Sequence, residues 1–191
     1  MVWLQLEETS IKEVPQSVTS KLERLSLDGC SKMTKFPENL KDIEELKLRG
    51  TAIKEVPLSI QFLTRLEVVD MSGCSELESF PEITVPMKSL QRLHLSKTGI
   101  KEIPSSSFKH MISLESLFLD GTPIKALPEL PPSLRYLNTH DCASLETVTS
   151  IINIGSLWDF TNHFKWDFTN CFKLDQKPLV AAMHLKIQVS L

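Results

Sequence analysis

One spacing recurs through this chain and leaves little freedom in what it can fold into. In residues 22–37, L-E-R-L-S-L-D-G-C-S-K-M-T-K-F-P, apolar side chains fall at Leu22, Leu25 and Leu27, then at Cys30, Met33, Phe36 and Pro37. Counting Leu22 as position one, the pattern occupies positions one, four, six, nine and twelve. Leu25 and Leu27 are two apart, so in a strand both face one side, while Ser26 and Asp28 face the other. A unit this short cannot bury its own apolar side, and it becomes stable only when stacked on copies of itself.

The copies are present. Position four recurs as Leu4, Leu25, Leu46, Val69, Leu93, Leu117 and Leu137, in steps of 21, 21, 23, 24, 24 and 20 residues. Position six recurs as Leu6, Leu27, Leu48, Met71, Leu95, Leu119 and, more weakly, Thr139. This spacing is that of a leucine-rich-repeat solenoid. The expected fold is therefore α/β, a solenoid with a concave sheet of short parallel strands and short helical or irregular convex segments. About seven repeats span residues 1–148. Residues 149–191 are expected to form a C-terminal capping segment.

Position nine alternates between two residue types. Thr9, Thr51, Thr98 and Thr122 carry a hydroxyl there, and Cys30, Cys74 and Cys142 a thiol. The chain turns back at this point, and its carbonyls lose their strand partners. A small inward donor can bond them, since buried backbone groups must be paired. The seven residues are expected to form a structural ladder, and the cysteines to be packing thiols rather than zinc ligands or disulfides. Most units then close on a proline: Pro15, Pro37, Pro57, Pro81, Pro104 and Pro128. Proline suits an irregular descending segment. The convex stretches 59–64 and 106–111 suit a helical turn or 3₁₀ segment, anchored inward by Ile60, Leu63, Phe108 and Met111. The connection 128–133 has room for no helix.

After Val148 the pattern fails for some fifteen residues. W-D-F-T-N then appears at 158–162 and again at 166–170. The second copy restores the spacing, with Trp166, Phe168, Cys171 and Leu174 at positions four, six, nine and twelve, and predicts one last strand. A short helix is expected from Pro178.

Composition excludes several classes of function. A net charge of −3 offers no basic surplus for a phosphate backbone, so no nucleic-acid partner is expected. No apolar run is long enough to span a membrane, and the N-terminal M-V-W-L-Q-L-E-E lacks the pattern of a secretory signal. Reduced packing cysteines point to the cytoplasm or the nucleus. The H-D-C at 140–142 has the residue types of a nucleophilic site, but Cys142 fills an inward slot. An enzyme built on the tail would have only Asp159, His163 and Cys171. No catalytic residue, metal or cofactor is expected.

The outward positions are more informative. Position three reads Trp3, Arg24, Glu45, Val68, Arg92, Ser116, Tyr136; position five Gln5, Ser26, Lys47, Asp70, His94, Phe118, Asn138; position seven Glu7, Asp28, Arg49, Ser72, Ser96, Asp120, His140. Neighbours within a column stand about 4.8 Å apart. In the first half Arg24 is expected to face Glu45, Lys47 to face Asp70, and Asp28 to face Arg49. In the second half Phe118 stands between His94 and Asn138, with Tyr136 diagonal to it. Exposed aromatics ringed by polar groups have the composition of a binding hot spot. Arg92, His94, Phe118, Asp120, Tyr136, Asn138 and His140 are therefore the candidate protein-binding residues.

The units at 28–37, 49–57 and 127–137, together with D-F-T-N-C-F-K-L-D-Q at 167–176, resemble the repeat region of plant disease-resistance proteins of the TIR–NB–LRR class. The last stretch is similar to the start of that family's post-repeat domain. The resemblance implies a non-enzymatic module of plant innate immunity that recognises pathogen effectors and restrains a nucleotide switch. Its implied partner is a protein, either an effector or the receptor's own nucleotide-binding domain. No G-x-x-x-x-G-K-[ST] phosphate loop occurs in the sequence, so the family's nucleotide switch is missing from it. The chain is expected to be a central piece of such a receptor, or a truncated relative. L-P-E-L-P-P-S-L also resembles bacterial leucine-rich-repeat effectors acting in host cells. Their repeats are uniform at about 20 residues, whereas these vary in length and alternate Cys with Thr.

Overall fold

The computed structural model describes residues 2–149 and 165–177. Among the described residues there are ten short strands: β1 Trp3–Gln5, β2 Arg24–Ser26, β3 Glu45–Lys47, β4 Val68–Asp70, β5 Arg92–His94, β6 Ser116–Phe118, β7 Ala126–Leu127, β8 Tyr136–Asn138, β9 Thr147–Val148 and β10 Lys165–Asp167. Eight of them form one parallel sheet in the order β1-β2-β3-β4-β5-β6-β8-β10. Register places every position-four residue beside the next, from Leu4↔Leu25 to Trp166↔Leu137. The array is therefore the expected solenoid, and the sheet continues past residue 148 through β10. The break at 150–164 and the helix expected from Pro178 lie outside the described residues.

Period two sorts the side chains. Leu25, Leu46, Val69, Leu93, Leu117 and Leu137 are buried, as are Leu27, Leu48, Met71, Leu95 and Leu119. Thr139, the weak match at position six, is fully buried and donates its hydroxyl to the Asp167 carbonyl at 2.6 Å. The convex side is mostly irregular. It has 3₁₀ turns at Leu58–Phe62 and Phe108–His110, and one helical turn, α1, at Gln16–Thr19 that the spacing did not indicate. Ile60, Phe108 and Met111 are buried there, and Leu63 partly so.

Each strand of the eight-stranded sheet ends in the same turn. Position eight is left-handed in all eight units: Glu8, Gly29, Gly50, Gly73, Lys97, Gly121, Asp141 and Asn170 have φ between 56° and 75°. Glycine adopts this conformation without strain, which accounts for the Gly-Cys and Gly-Thr pairs of the sequence.

The geometry of position nine explains the alternation of Thr and Cys. Thr51 Oγ1 donates to the Leu48 carbonyl of its own unit at 2.9 Å, and Cys74 Sγ reaches back from the next unit to the same oxygen at 3.0 Å. Thr9 and Cys30 converge on Leu6 O in this way, and Thr122 and Cys142 on Leu119 O. Within each pair the hydroxyl and thiol lie 3.2–3.4 Å apart. Threonine thus serves its own unit and cysteine the preceding one. Thr98 has another threonine after it and serves the Leu95 carbonyl without a thiol. Cys171 donates to Thr139 O at 3.1 Å.

Candidate functional site

The concave face divides into two halves with different chemistry. In the first half, ions pair with one another, partly along routes other than those the columns imply. Arg24 meets Glu45 at 3.5 Å, as the register requires. Lys47, although beside Asp70 in the sheet, bonds Glu45 two residues back in its own strand at 2.9 Å. Asp70 instead takes Arg49 Nε at 3.1 Å and the Ser72 amide at 3.0 Å. Asp28 accepts the backbone N–H of Arg49 at 2.9 Å rather than its guanidinium. The cause is depth. Asp70 is short and only 6% exposed, so a long side chain arching from the diagonal position reaches it best. Ser26, though outward, is 2% exposed because it donates to the Glu7 carboxylate lying over it. That bond is the main reason the Glu7 carboxyl is held below its ordinary value.

The second half carries rings. His94 and Phe118 lie stacked, centroids 4.2 Å apart and planes 8° from parallel. Phe118 and Tyr136 follow at 4.8 Å with a 36° tilt, and Lys165 Nζ sits 5.8 Å from the Tyr136 centroid on the far side. Four consecutive strands, β5, β6, β8 and β10, each supply one member, because neighbouring strands are spaced close to ring-stacking distance. All three rings are partly exposed. Burial is the main cause holding His94 below the usual imidazole value, with Arg49 and Arg92 adding to it and Asp70 and Asp120 opposing it.

Beside the rings runs a polar row. Asp120 Oδ1 accepts Ser96 Oγ at 2.5 Å and Asn138 Nδ2 at 3.2 Å. Asn138 Oδ1 accepts the His140 amide at 3.0 Å, and His140 Nε2 lies 3.2 Å from Asp141. The third member of the H-D-C triplet is turned away, since Cys142 Sγ points inward to Leu119 O. Burial pushes the thiols of Cys74, Cys142 and Cys171 above the ordinary value.

Of the seven candidate residues, His94, Phe118 and Tyr136 come together as one stack, and Asp120, Asn138 and His140 as one hydrogen-bonded row. Arg92 is exposed at the edge of the stack, between Val68 and Ser116, and takes part in none of the ion pairs among the described residues. Lys165 and Ser96 belong to the arrangement and were not among the candidates. Carrying position three forward one unit from Tyr136, across the gap before Trp166, would have found Lys165. Asp159 and His163 lie outside the described residues.

No family profile matches the chain. It is 37% identical over 133 residues to the probable disease resistance protein RPP1 of Arabidopsis thaliana, a match covering 69% of this chain and 11% of that protein. It is also 37% identical over 175 residues to the disease resistance protein RML1A of the same plant, covering 90% of this chain and 17% of that protein. The chain thus spans less than a fifth of these relatives. Among solved structures, the leucine-rich repeat domain of the type III effector XopL superposes with a TM-score of 0.72 at 23% identity, covering 95% of this chain and 73% of that one. That likeness is one of fold.

Proposed function

Because the chain is a leucine-rich-repeat array of the plant TIR–NB–LRR disease-resistance type, we propose that it is a recognition segment that binds protein through the second half of its concave face. The observation carrying this reading is the partly exposed His94–Phe118–Tyr136 stack, set on a sheet whose other charges are largely paired among themselves. Aromatic anchors of this kind dominate binding energy at protein interfaces. The partner is a pathogen effector or the nucleotide-binding domain of the same receptor. In the second case the contact holds the switch off until an effector competes for it. Four unpaired, buried cysteines fit a reducing compartment, the cytoplasm or the nucleus. No helix among the described residues is long and apolar enough to cross a membrane. The bacterial-effector alternative rests on fold at 23% identity, while relatedness in sequence runs to plant proteins, so the plant reading is preferred.

Phe118→Ala and Tyr136→Ala test the site. Each is expected to weaken binding of effector or nucleotide-binding-domain candidates, titrated calorimetrically, by about 2 kcal/mol or more. Neither should lower the melting temperature much, since both residues point out of the core. Leu117→Ala is the control. It removes a fully buried side chain from the strand bearing Phe118 and should cost about 2–5 kcal/mol of stability. Aromatic variants that melt early while binding persists would reassign these rings to packing.

A further inference from the structure

Resting on the recognition surface just proposed, we infer that its partner presents an acidic extended segment, with two carboxylates four residues apart and an apolar side chain between them. The argument begins with the rings. In a stack running from strand to strand, each ring gives its faces to its neighbours. Phe118 has His94 on one face and Tyr136 on the other, and the outer face of Tyr136 is taken by Lys165. Apart from the outer face of His94, what remains for a partner is ring edges. An aromatic face is electronegative and its edge electropositive, so a row of edges attracts carboxylate and carbonyl oxygens. The same closure leaves a nucleobase no free face of Phe118 to stack on.

Charge along position three points the same way. From β5 to β10 this column reads Arg92, Ser116, Tyr136, Lys165, two cations and two hydroxyls without an acid. Acids do lie nearby, but most are supplied with donors. Asp120 holds Ser96 and Asn138, Asp141 holds His140 and Asn170, and Asp167 accepts the Thr169 amide at 2.9 Å. Glu115 stands one position outside the column, on the rim. The cations are less well supplied. Arg92 is exposed without an ion pair among the described residues, and Lys165 lies over the Tyr136 ring with Asp167 near enough to interact but no ion pair among the described residues. In the first half, by contrast, Arg24, Lys47 and Arg49 each already hold a carboxylate.

Spacing sets the motif. Arg92 and Lys165 are separated by three strand intervals, about 14 Å, which an extended chain covers in about four residues. Residues i, i+2 and i+4 of an extended segment face one way. Carboxylates at i and i+4 would then meet the two cations while the side chain at i+2 lies over the ring edges.

The test is a phage-displayed random 12-mer library selected on the intact chain. Enriched peptides are then synthesised with fluorescein and titrated by anisotropy. We expect enrichment of Asp or Glu at i and i+4 around an apolar residue. Binding should fall tenfold or more with Arg92→Glu, Lys165→Glu or Phe118→Ala, hold with Lys12→Glu on another surface, and weaken as salt is raised. Enriched peptides that need Phe118 but are neutral or basic, and ignore both charge reversals, overturn the acidic motif and leave the recognition surface standing. Peptides indifferent to Phe118→Ala remove the surface as well. Failure to enrich any peptide, or binding of a fluorescein-labelled single-stranded dT 12-mer that Phe118→Ala abolishes, also overturns the inference. Circular dichroism melts on every variant separate lost binding from lost fold.

Discussion

The shared carbonyls of the position-nine ladder allow one comparison to be worked out inside the molecule itself. Thr122→Val and Thr98→Val are the same chemical change at equivalent places, each replacing a buried hydroxyl by a methyl of nearly equal size. In the wild type, Leu119 O accepts three donors: Thr122 N at 3.1 Å, Thr122 Oγ1 at 2.7 Å and Cys142 Sγ at 3.1 Å. Losing the hydroxyl leaves it two. Leu95 O accepts only Thr98 N, at 3.3 Å, and Thr98 Oγ1, at 2.8 Å. Losing the hydroxyl there leaves one long bond to a buried carbonyl. A net hydrogen bond contributes about 1 kcal/mol, whereas an under-satisfied buried polar group costs about 1–3 kcal/mol. Thr122→Val should therefore cost about 1 kcal/mol and Thr98→Val distinctly more, toward 2–3 kcal/mol. Urea unfolding followed by circular dichroism reads the difference, with the slopes checked because a repeat array can lose cooperativity. Melting temperature should fall by about 2–4 °C per kcal/mol in a chain of this size. Equal costs, or a larger cost at Thr122, would refute the view that cysteine supports the preceding unit.

Further outcomes follow from three other features. Lys97→Gly should stabilise by up to about 1 kcal/mol, since relief of a left-handed residue outweighs glycine's added freedom in the unfolded chain; a destabilised variant would show that Lys97 packs usefully. A double-mutant cycle on Arg49 and Asp70 should give a coupling of about 0.5–1 kcal/mol, limited by the exposure of Arg49, and one on Lys47 and Asp70 close to zero; the reverse order would contradict the diagonal pairing. The Cys74, Cys142 and Cys171 thiols are raised in the fold, so the unfolded chain ionises first. Stability should be intact below the ordinary thiol value of 9.0 and fall as pH rises beyond it toward the folded values. In thiol titration at pH 8 the same residues should label only in denaturant, and rapid labelling of native protein would count against their burial.

The strands could be read from the sequence because the core asks one question of each residue, inward or outward, at period two. Leu25, Val69 and Trp166 fall on strand centres for that reason, and even Thr139, a poor match, keeps its slot by bonding the next strand. Backbone demands without a single residue type were hidden. Glu8, Lys97, Asp141 and Asn170 adopt the same left-handed turn as the four glycines, yet share no letter with them. Ion pairing was half legible. A column names the neighbour at the backbone, but side-chain length and depth choose the partner, so Asp70 goes to Arg49 and not to Lys47.

The concave site was legible only as a neighbourhood, and the reason is the one that makes the fold so readable. Positions four and six carry the packing, which leaves positions three, five and seven free of it, apart from the few that sink toward the sheet. A residue free of packing can be changed without unfolding the array, so its identity carries little information about fold. The columns placed Phe118 beside His94 and diagonal to Tyr136. They could not say that His94 would stack on Phe118 and Tyr136 tilt against it, which depends on side-chain torsions no spacing encodes. Nor did they reach Lys165, because the count is lost between Val148 and Trp166. What a solenoid of this kind recognises is therefore written in the geometry among its outward side chains, and that geometry decides whether a ring offers a partner its face or its edge.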